Sequence, residues 1–182
     1  MDGKNNLLTN DCNLASVKPA IMELPYPPVQ VMGKNKSYAD LLGIDYCGAV
    51  SELSTIAQYI NHENRMSYEK CSAAKIILSI AMAEMIHLQK LGELIFLLGG
   101  NVDYTARYQN GQQKLWTPAY ISMPDNMKKM VWDDIEGEKK AIQQYRMHIK
   151  MIQDNNVREV LARIIKDEEY HIMLLRTLMG EL

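Results

Sequence analysis

Residues 80–91 read IAMAEMIHLQKL and residues 164–175 read IIKDEEYHIMLL. Each stretch holds one Glu-x-x-His pair: Glu84 with His87, and Glu168 with His171. On an α-helix three residues turn the chain by about 300° and advance it by about 4.5 Å, so both members of a pair share one face. Apolar residues at helical spacing around each pair place that face inside the fold. Buried carboxylates and imidazoles need a compensating charge, which bound metal cations supply directly.

Two further glutamates, Glu52 and Glu138, lie within the apolar patterns of two other predicted helices. Together with Glu84 and Glu168 they would carry a negative charge that two divalent cations balance. Carboxylate oxygens and imidazole nitrogens suit iron or manganese. The sequence therefore predicts a dinuclear centre with one glutamate from each of four helices.

Near neighbours of these residues leave some alternatives open. Glu136 lies about 160° around the helix from Glu138, and the spacing to the following tyrosine favours Glu138. Glu169 breaks the three-residue spacing to the histidine and is expected to face solvent. Asp167 has no counterpart in the other half; it either accepts a hydrogen bond from His87 or is a surface charge.

The four predicted helices repeat in pairs. The first and third share a set of residues at an offset of 86: Glu52/Glu138, Gln58/Gln144, Tyr59/Tyr145 and His62/His148. The two Glu-x-x-His pairs recur at an offset of 84. We therefore predict two equivalent halves that face one shared site.

The tyrosines and the remaining histidines of this repeat have different predicted roles. Tyr59 and Tyr145 lie two turns past their glutamates and about 20° off the same face, where a hydroxyl could orient a carboxylate or donate an electron. His62 and His148 lie about 15 Å along their helices from the glutamates, towards opposite ends of the bundle. We predict that these two histidines are not ligands.

Apolar periodicity groups the helices into two hairpins, over 37–98 and 125–180. Residues 101–123 form a connection of a length that is uncommon in a compact domain unless it runs the length of the bundle. Two helical hairpins joined by one long crossover make the all-α, ferritin-like four-helix bundle. We predict that this domain covers 37–182 and follows an irregular N-terminal arm over 1–36.

Composition excludes several classes of protein. The chain has 182 residues, of which 47% are hydrophobic and 23% charged, as in a globular domain. Its formal net charge of −2 argues against nucleic acid or an anionic membrane as the main partner. We find neither a signal-peptide pattern nor the roughly 20 consecutive apolar residues of a membrane span. Glycines Gly43 and Gly48 make a break in the first helix possible.

The cysteines give an expectation about the compartment. Cys12, Cys47 and Cys71 form no Cys-x-x-Cys motif, so a zinc ribbon or rubredoxin-type iron site is not predicted. An odd number of cysteines in a chain of this size favours reduced thiols. We expect a cytoplasmic location.

Three motifs resemble those of the ferritin-like di-metal carboxylate superfamily. IIKDEEYHIMLL resembles the last metal-binding helix of bacterioferritins and rubrerythrins. IAMAEMIHLQKLGELIFLLGG, from residue 80, resembles the second helix of rubrerythrin-like and manganese-catalase-like proteins, and EGEKKAIQQY, from residue 136, resembles a rubrerythrin helix. The resemblance covers about 37–181 and implies two Fe or two Mn ions per chain. It implies these metal ligands: Glu52, Glu84, His87, Glu138, Glu168 and His171.

The resemblance also has limits that bear on function. Rubrerythrins proper carry a rubredoxin domain that these residues do not encode, so electrons would come from an external donor. The leading hypothesis is an oxidoreductase that acts on hydrogen peroxide or dioxygen, with peroxidase or catalase activity first. Ferroxidase activity with iron handling is the second hypothesis. A non-catalytic, metal-stabilised coat or assembly module is a third, and a homo-oligomer, dimer or larger, is expected.

Overall fold

The structure, a computed structural model, describes residues 10–182 and is built mainly from α-helices. Their bounds are α1 Lys36–Cys47, α2 Glu52–Met66, α3 Cys71–Leu97, α4 Met127–Met151 and α5 Asn155–Glu181. Helix α2 packs on α3 as one hairpin, and α4 packs on α5 as the other. The predicted all-α four-helix bundle is confirmed, with its first helix divided into α1 and α2.

The division between α1 and α2 falls at residues 48–51. The Gly48 N–H closes α1 by donating to the Ile44 carbonyl at 2.8 Å, and a Cβ at Gly48 would come within 2.6 Å of that oxygen. Ser51 then caps α2, since its hydroxyl accepts from the Ser54 N–H at 3.2 Å and leaves one fewer unpaired donor at the new helix end. The break that the two glycines made possible is therefore present, and it makes Glu52 the first residue of α2, where it is buried in the bundle.

The apolar core lies in two clusters on either side of the bundle's middle. One cluster joins α1 to the C-terminal part of α3 and the start of α5, through side chains such as Leu42, Leu94 and Leu161. The other joins the start of α3 to the end of α5, through side chains such as Ile77 and Leu178. Along α3 and α5, the pairs Glu84/His87 and Glu168/His171 therefore lie between the two apolar clusters.

The crossover between α3 and α4 contains a short antiparallel hairpin of β1 Thr105–Arg107 and β2 Gln113–Leu115. A 3-10 turn over Pro118–Tyr120 follows it. The Trp116 indole N–H donates to the Ser54 hydroxyl at 3.0 Å and fixes the crossover to α2. The predicted all-α fold includes no strands, and these two are only three residues long.

The described part of the arm, residues 10–35, has no helix or strand and lies along the groove between α3 and α5. Near its start Cys12 forms a disulfide with Cys71, the first residue of α3. The expectation of reduced thiols is therefore wrong for this pair, because the path of the arm brings together two cysteines 59 residues apart in the sequence. Cys47 is a buried free thiol.

Helix α3 is long and apolar enough, by length and composition, to cross a membrane, and in residues 10–182 it alone meets that test. The sequence argument had found no such segment, because it required an unbroken apolar run. The buried residues of α3 include Glu84 and His87, both of which face the other helices of the bundle. A buried helix in the core of a bundle can pass the same test of length and composition as a membrane span, so α3 is weak evidence for one.

Candidate metal centre

The structure brings all six predicted ligand residues together in the middle of the bundle. They come from α2, α3, α4 and α5, and each is no more than 3% exposed. Their potential ligand atoms form two groups within residues 10–182, each with its atoms within 4.8 Å of one another. The groups are Glu52, Glu84, His87 and Glu168, and Glu84, Glu138, Glu168 and His171.

Glu84 and Glu168 belong to both groups and face both histidines. His87 Nδ1 lies 3.1 Å from Glu84 Oε2 and 3.3 Å from Glu168 Oε1. His171 Nδ1 lies 3.0 Å from Glu84 Oε1 and 2.9 Å from Glu168 Oε2. Each of the two carboxylates therefore presents one oxygen to each half of the site.

The remaining two glutamates each serve one half. Glu52 Oε2 lies 3.7 Å from His87 Nδ1, and Glu138 Oε1 lies 3.5 Å from His171 Nδ1. The two imidazole rings lie 5.9 Å apart between centroids. The site therefore consists of two subsites. Each has one histidine and one glutamate that faces that histidine alone, which we call its private carboxylate: Glu52 for His87 and Glu138 for His171. Glu84 and Glu168 face both histidines, and we call them the shared carboxylates.

Burial and the close packing of charged groups shift the pKa values of Glu84, Glu138 and Glu168 away from their usual values. Burial raises the pKa of Glu84, and the facing Glu168 raises it further. Burial also raises the pKa of Glu138 to about 8. Burial by itself raises the pKa of Glu168, but His87 and His171 outweigh it and lower that pKa overall.

The pKa values of the two histidines are set mainly by the neighbouring glutamates, whose effect exceeds that of burial. Burial lowers the pKa of His87, but Glu168 and Glu84 outweigh it and raise that pKa well above its usual value. The pKa of His171 is raised in the same way by the glutamates around it. Glu84 Oε1 and Glu168 Oε1 are buried and accept no hydrogen bond of favourable geometry, although His171 Nδ1 and His87 Nδ1 lie 3.0 Å and 3.3 Å from them. Such orphaned acceptors need an explanation, and cations in place of the protons would provide one.

Two tyrosines hold the private carboxylates from the opposite hairpin. The Tyr59 hydroxyl, on α2, donates to Glu138 Oε1 on α4, and the Tyr145 hydroxyl, on α4, donates to Glu52 Oε1 on α2. Burial raises the pKa of both hydroxyls, and the facing carboxylates raise it further, so both stay protonated donors at neutral pH. The contact predicted between each tyrosine and a glutamate is present, across the hairpins.

The outer nitrogens of the clustered histidines also have partners. His87 Nε2 lies 3.2 Å from Asp167 Oδ2, and His171 Nε2 lies 2.9 Å from the Ala20 carbonyl oxygen of the arm. The sequence analysis left the role of Asp167 open between this contact and a surface charge, and the buried contact with His87 is confirmed.

The two rival glutamates lie outside the cluster. Glu136 is partly exposed and pairs with Lys139 at 2.6 Å. Glu169 is also partly exposed and pairs with Lys166 at 2.9 Å and with Arg146 at 3.0 Å. Surface pairs of this kind add little to stability.

The rubrerythrin family model matches residues 49–179, the part of the chain that carries all six clustered residues. The chain belongs to the rubrerythrin family.

Individual relatives extend the match. A probable manganese catalase from Clostridium acetobutylicum is 27% identical over 171 residues, which cover 84% of this chain and 75% of that protein. The fold is similar to that of a manganese catalase from Anabaena, with a TM-score of 0.73 at 24% identity over 88% of this chain and 78% of that one. It is also similar to a Rhodobacter capsulatus bacterioferritin, with a TM-score of 0.65 at 21% identity over 82% and 88% of the two chains. These two structural likenesses show a shared fold.

In this rubrerythrin-family chain, His62 and His148 lie outside both ligand groups. His62 Nδ1 contacts Asp134 Oδ2 at 3.0 Å, and His148 Nδ1 contacts Asp45 Oδ2 at 2.7 Å. The amide of Gln58 donates to Asp134 at 2.8 Å. Each histidine therefore has a buried aspartate of its own. That neither histidine is a ligand stays a prediction.

The sequence analysis missed Asp45 and Asp134. They are equivalent in the fold but recur at an offset of 89, because the break between α1 and α2 adds three residues to the first half. A search for paired buried acids that allowed a helix break would have found them. Burial raises the pKa of both carboxyls, while the hydrogen bond from the facing histidine lowers it in part.

A narrow cavity leads towards the cluster from the side of α2 and α4. A space of about 10 Å³ touches Glu52, Glu84, Glu138 and Glu168. It shares Val50, Ser51 and Thr55 with a larger cavity of about 180 Å³. A space of about 10–15 Å³ holds one water molecule. The inner space is therefore about the size of one water molecule.

Proposed function

We propose that this rubrerythrin-family protein holds two metal ions and uses them to turn over hydrogen peroxide or dioxygen, with catalase or peroxidase activity. One observation carries the proposal. Each of Glu84 and Glu168 presents one oxygen to His87 and the other to His171. A site for a single cation does not need carboxylates shared in this way, whereas a site for two does.

The donor set fits the group that we propose. Glu52 and His87 would complete one subsite, and Glu138 and His171 the other. Oxygen and imidazole ligands suit manganese or iron, and a relative described as a probable manganese catalase makes manganese the first metal to test. When bound, the pair of metals would supply the valence changes that peroxide or dioxygen chemistry requires.

The chain's own residues would hold and enclose this chemistry. Tyr59 and Tyr145 donate hydrogen bonds to Glu138 and Glu52, so we propose that they orient these carboxylates. The two apolar clusters lie on either side of the site along α3 and α5. The inner cavity of about 10 Å³ is about the size of one water molecule, so we propose that the site takes small oxidants rather than organic hydroperoxides with bulky substituents.

The two proposed activities differ in their need for electrons. A catalase converts two hydrogen peroxide molecules into one dioxygen and two waters, with no other reactant. A peroxidase reduces each peroxide to two waters with two electrons and two protons from an external donor. Dioxygen release without a donor therefore separates the first activity from the second.

The experiment loads the metal-free full chain with Mn²⁺ or Fe²⁺ and follows peroxide and dioxygen together, with and without an added electron donor. We expect peroxide consumption with one of these metals, and one dioxygen per two peroxides if the activity is that of a catalase. Glu168→Gln is the control that removes one shared carboxylate, and it should abolish turnover. Two bound metals with no turnover of peroxide or dioxygen would contradict the enzymatic proposal and favour a structural, assembly role.

Assembly and location stay predictions of ours. A homo-oligomer is expected, and a mass measurement in solution tests it. The cytoplasmic location stays a prediction, and the Cys12–Cys71 disulfide argues against it, because such bonds are rare in the cytosol. Thiol labelling in the intact source cell shows whether Cys12 and Cys71 are reduced, as a cytoplasmic location predicts, or joined by the disulfide.

A further inference from the structure

The segment of the arm at residues 20–26 lies against the outer side of both Glu-x-x-His helices. The Ala20 N–H donates to the Ser79 carbonyl on α3 at 2.8 Å. The Ala20 carbonyl accepts from His171 Nε2 on α5 at 2.9 Å. A single residue of the arm thus connects the two helices that carry the clustered histidines.

This contact decides which nitrogen of His171 faces the cluster. A carbonyl oxygen only accepts, so Nε2 must carry the proton that it shares with Ala20. In a neutral imidazole the other nitrogen, Nδ1, then has its lone pair free. His171 Nδ1 is the atom that faces Glu84 and Glu168.

On the other helix, the arm reaches His87 through Asp167. The Met22 N–H donates to Asp167 Oδ1 at 2.7 Å, and the Tyr26 hydroxyl donates to Asp167 Oδ2. The same Oδ2 lies 3.2 Å from His87 Nε2. A carboxylate fixed by two groups of the arm thus fixes the imidazole of His87, with its Nδ1 towards the shared carboxylates.

Arg163 ties this segment together. Its guanidinium pairs with Asp167 Oδ1 at 2.7 Å and donates to the carbonyls of Met22 and Leu24 at 2.9 Å and 3.0 Å. It also lies over the Tyr26 ring, 4.3 Å from the ring centroid. The Asp167 and Arg163 side chains are both nearly fully buried, so the arm could not leave without exposing an ion pair and its partners.

The disulfide holds the arm upstream of this segment. Cys12 is bonded to Cys71 at the start of α3, and Ala20 is hydrogen-bonded to Ser79 further along the same helix. The two attachments are eight positions apart on the arm and eight positions apart on α3, where they span about 12 Å. Opening the disulfide would leave the Ala20 contact as the first described backbone attachment of the arm to α3.

We propose that Ala20 and Tyr26 are positioning residues that hold His171 and His87 in their metal-binding tautomers, and that the Cys12–Cys71 disulfide keeps them in place. Reduction of the disulfide then speeds metal loss. In that step an external dithiol gives two electrons and two protons, the S–S bond becomes two thiols, and the dithiol becomes a disulfide. The inference rests on the dinuclear centre proposed above.

The first test uses Zn²⁺ as a diamagnetic probe and compares Tyr26→Phe with Tyr38→Phe. The Tyr38 hydroxyl accepts from the Gln153 N–H at 3.1 Å, away from the cluster, so this variant is the matched control. We expect Zn²⁺ to leave the Tyr26→Phe protein for a chelator about 10-fold faster than it leaves wild type, the size expected when a partner of a ligating histidine is lost. Tyr38→Phe should stay within about twofold.

A nuclear magnetic resonance signature separates positioning from general loosening. In the Zn²⁺-loaded protein labelled with ¹⁵N at histidine, both His87 and His171 should show a protonated Nε2 and a metal-bound Nδ1. In Tyr26→Phe, solvent exchange of the His87 Nε2 proton should speed up several-fold while that of His171 is unchanged. Equal exchange at both histidines, or no change in metal loss, would overturn the role of Tyr26.

The second test addresses the disulfide, with Cys12→Ser/Cys71→Ser and the buried free thiol variant Cys47→Ala as control. Wild type is also reduced with a dithiol that is removed before Zn²⁺ loading. We expect several-fold faster Zn²⁺ loss in the double variant and in reduced wild type, but not in Cys47→Ala. Unchanged loss in both would overturn the role of the disulfide. If wild type binds no Zn²⁺, Mn²⁺ or Fe²⁺ at all, the dinuclear centre itself fails, which is a different result.

Discussion

The two halves of the cluster present the same kinds of group to Nδ1 of their histidines but different groups to Nε2, on the far side of each ring. His87 and His171 both face Glu84 and Glu168, and each has one private glutamate. Behind His87 stands the carboxylate of Asp167, whereas behind His171 stands the neutral carbonyl of Ala20. A carboxylate partner makes an imidazole a stronger ligand than a neutral partner does. The internal repeat thus preserves the ligands, while Asp167 of α5 behind one histidine and Ala20 of the arm behind the other make the two subsites unequal. We therefore expect the His87 subsite to bind its metal more tightly.

The largest expected effect separates the shared carboxylates from the private ones. Glu168→Gln changes a group that faces both histidines, so we expect both metals to bind at least about 100-fold more weakly. Glu52→Gln changes only the His87 half and should leave close to one metal per chain. Elemental analysis after gel filtration measures both. Equal losses in the two variants would contradict the division into shared and private carboxylates.

Removing the charge behind His87 should abolish the inequality between the subsites. In Asp167→Asn we expect the His87 subsite to lose about 10- to 100-fold in Mn²⁺ affinity, with the His171 subsite changed far less. Calorimetric titration resolves the two sites. Asp134→Asn is the matched control, because that buried carboxylate contacts His62 instead. If Asp167→Asn and Asp134→Asn shift the same binding step equally, the partner behind His87 does not set its affinity.

The pH dependence of stability tests which groups hold protons when metal is absent. The pKa of Glu138 is raised to about 8 and that of Glu84 is raised too, so the folded state binds more protons than the unfolded state above pH 4.5. The stabilisation is complete at low pH and is lost as the pH rises towards 8. We expect the free energy of unfolding of the metal-free protein to fall by about 1–3 kcal/mol between pH 5.5 and 8.

A Glu138→Gln variant and the Mn²⁺-loaded protein show whether the clustered glutamates cause this fall in stability. Glu138→Gln should flatten the slope, since its amide does not titrate, and the Mn²⁺-loaded protein should show no such fall because the metals replace the protons. Urea unfolding at a series of pH values measures all three. A metal-free protein whose stability rises from pH 5.5 to 8 would show that the glutamates are already ionised.

The smallest expected effect concerns the tyrosines, where the two halves are most alike. Tyr59→Phe and Tyr145→Phe each remove one hydrogen bond to a private carboxylate, and each should weaken metal binding by about 3- to 10-fold. The two variants should affect opposite subsites, His171 for Tyr59→Phe and His87 for Tyr145→Phe. Loss confined to the same subsite in both variants would show that the crossed contacts do not govern binding.

Much of this centre could be predicted because helical spacing is a local property. Glu84 and His87, like Glu168 and His171, are placed on one face by helix geometry alone, and the repeat then indicates Glu52 and Glu138. The resulting bundle is confirmed, and all six residues meet in it. Metal binding by them stays a proposal.

What could not be predicted depends on contacts between distant residues. Cys12 and Cys71 are paired because the arm follows the groove between α3 and α5, a path that no periodicity encodes. Asp45 escaped notice because the break at Gly48 shifts the repeat by three residues. The contact between Ala20 and His171 uses a backbone carbonyl, and a sequence does not distinguish one carbonyl from another.

We propose that the four carboxylates and two histidines hold two metal ions. Anomalous X-ray diffraction from a crystal of the Mn²⁺-loaded protein, collected at the manganese absorption edge, would locate these ions. We expect two peaks per chain between α2, α3, α4 and α5, one beside Nδ1 of His87 and one beside Nδ1 of His171. A single peak, no peak, or peaks beside His62 and His148 would contradict it.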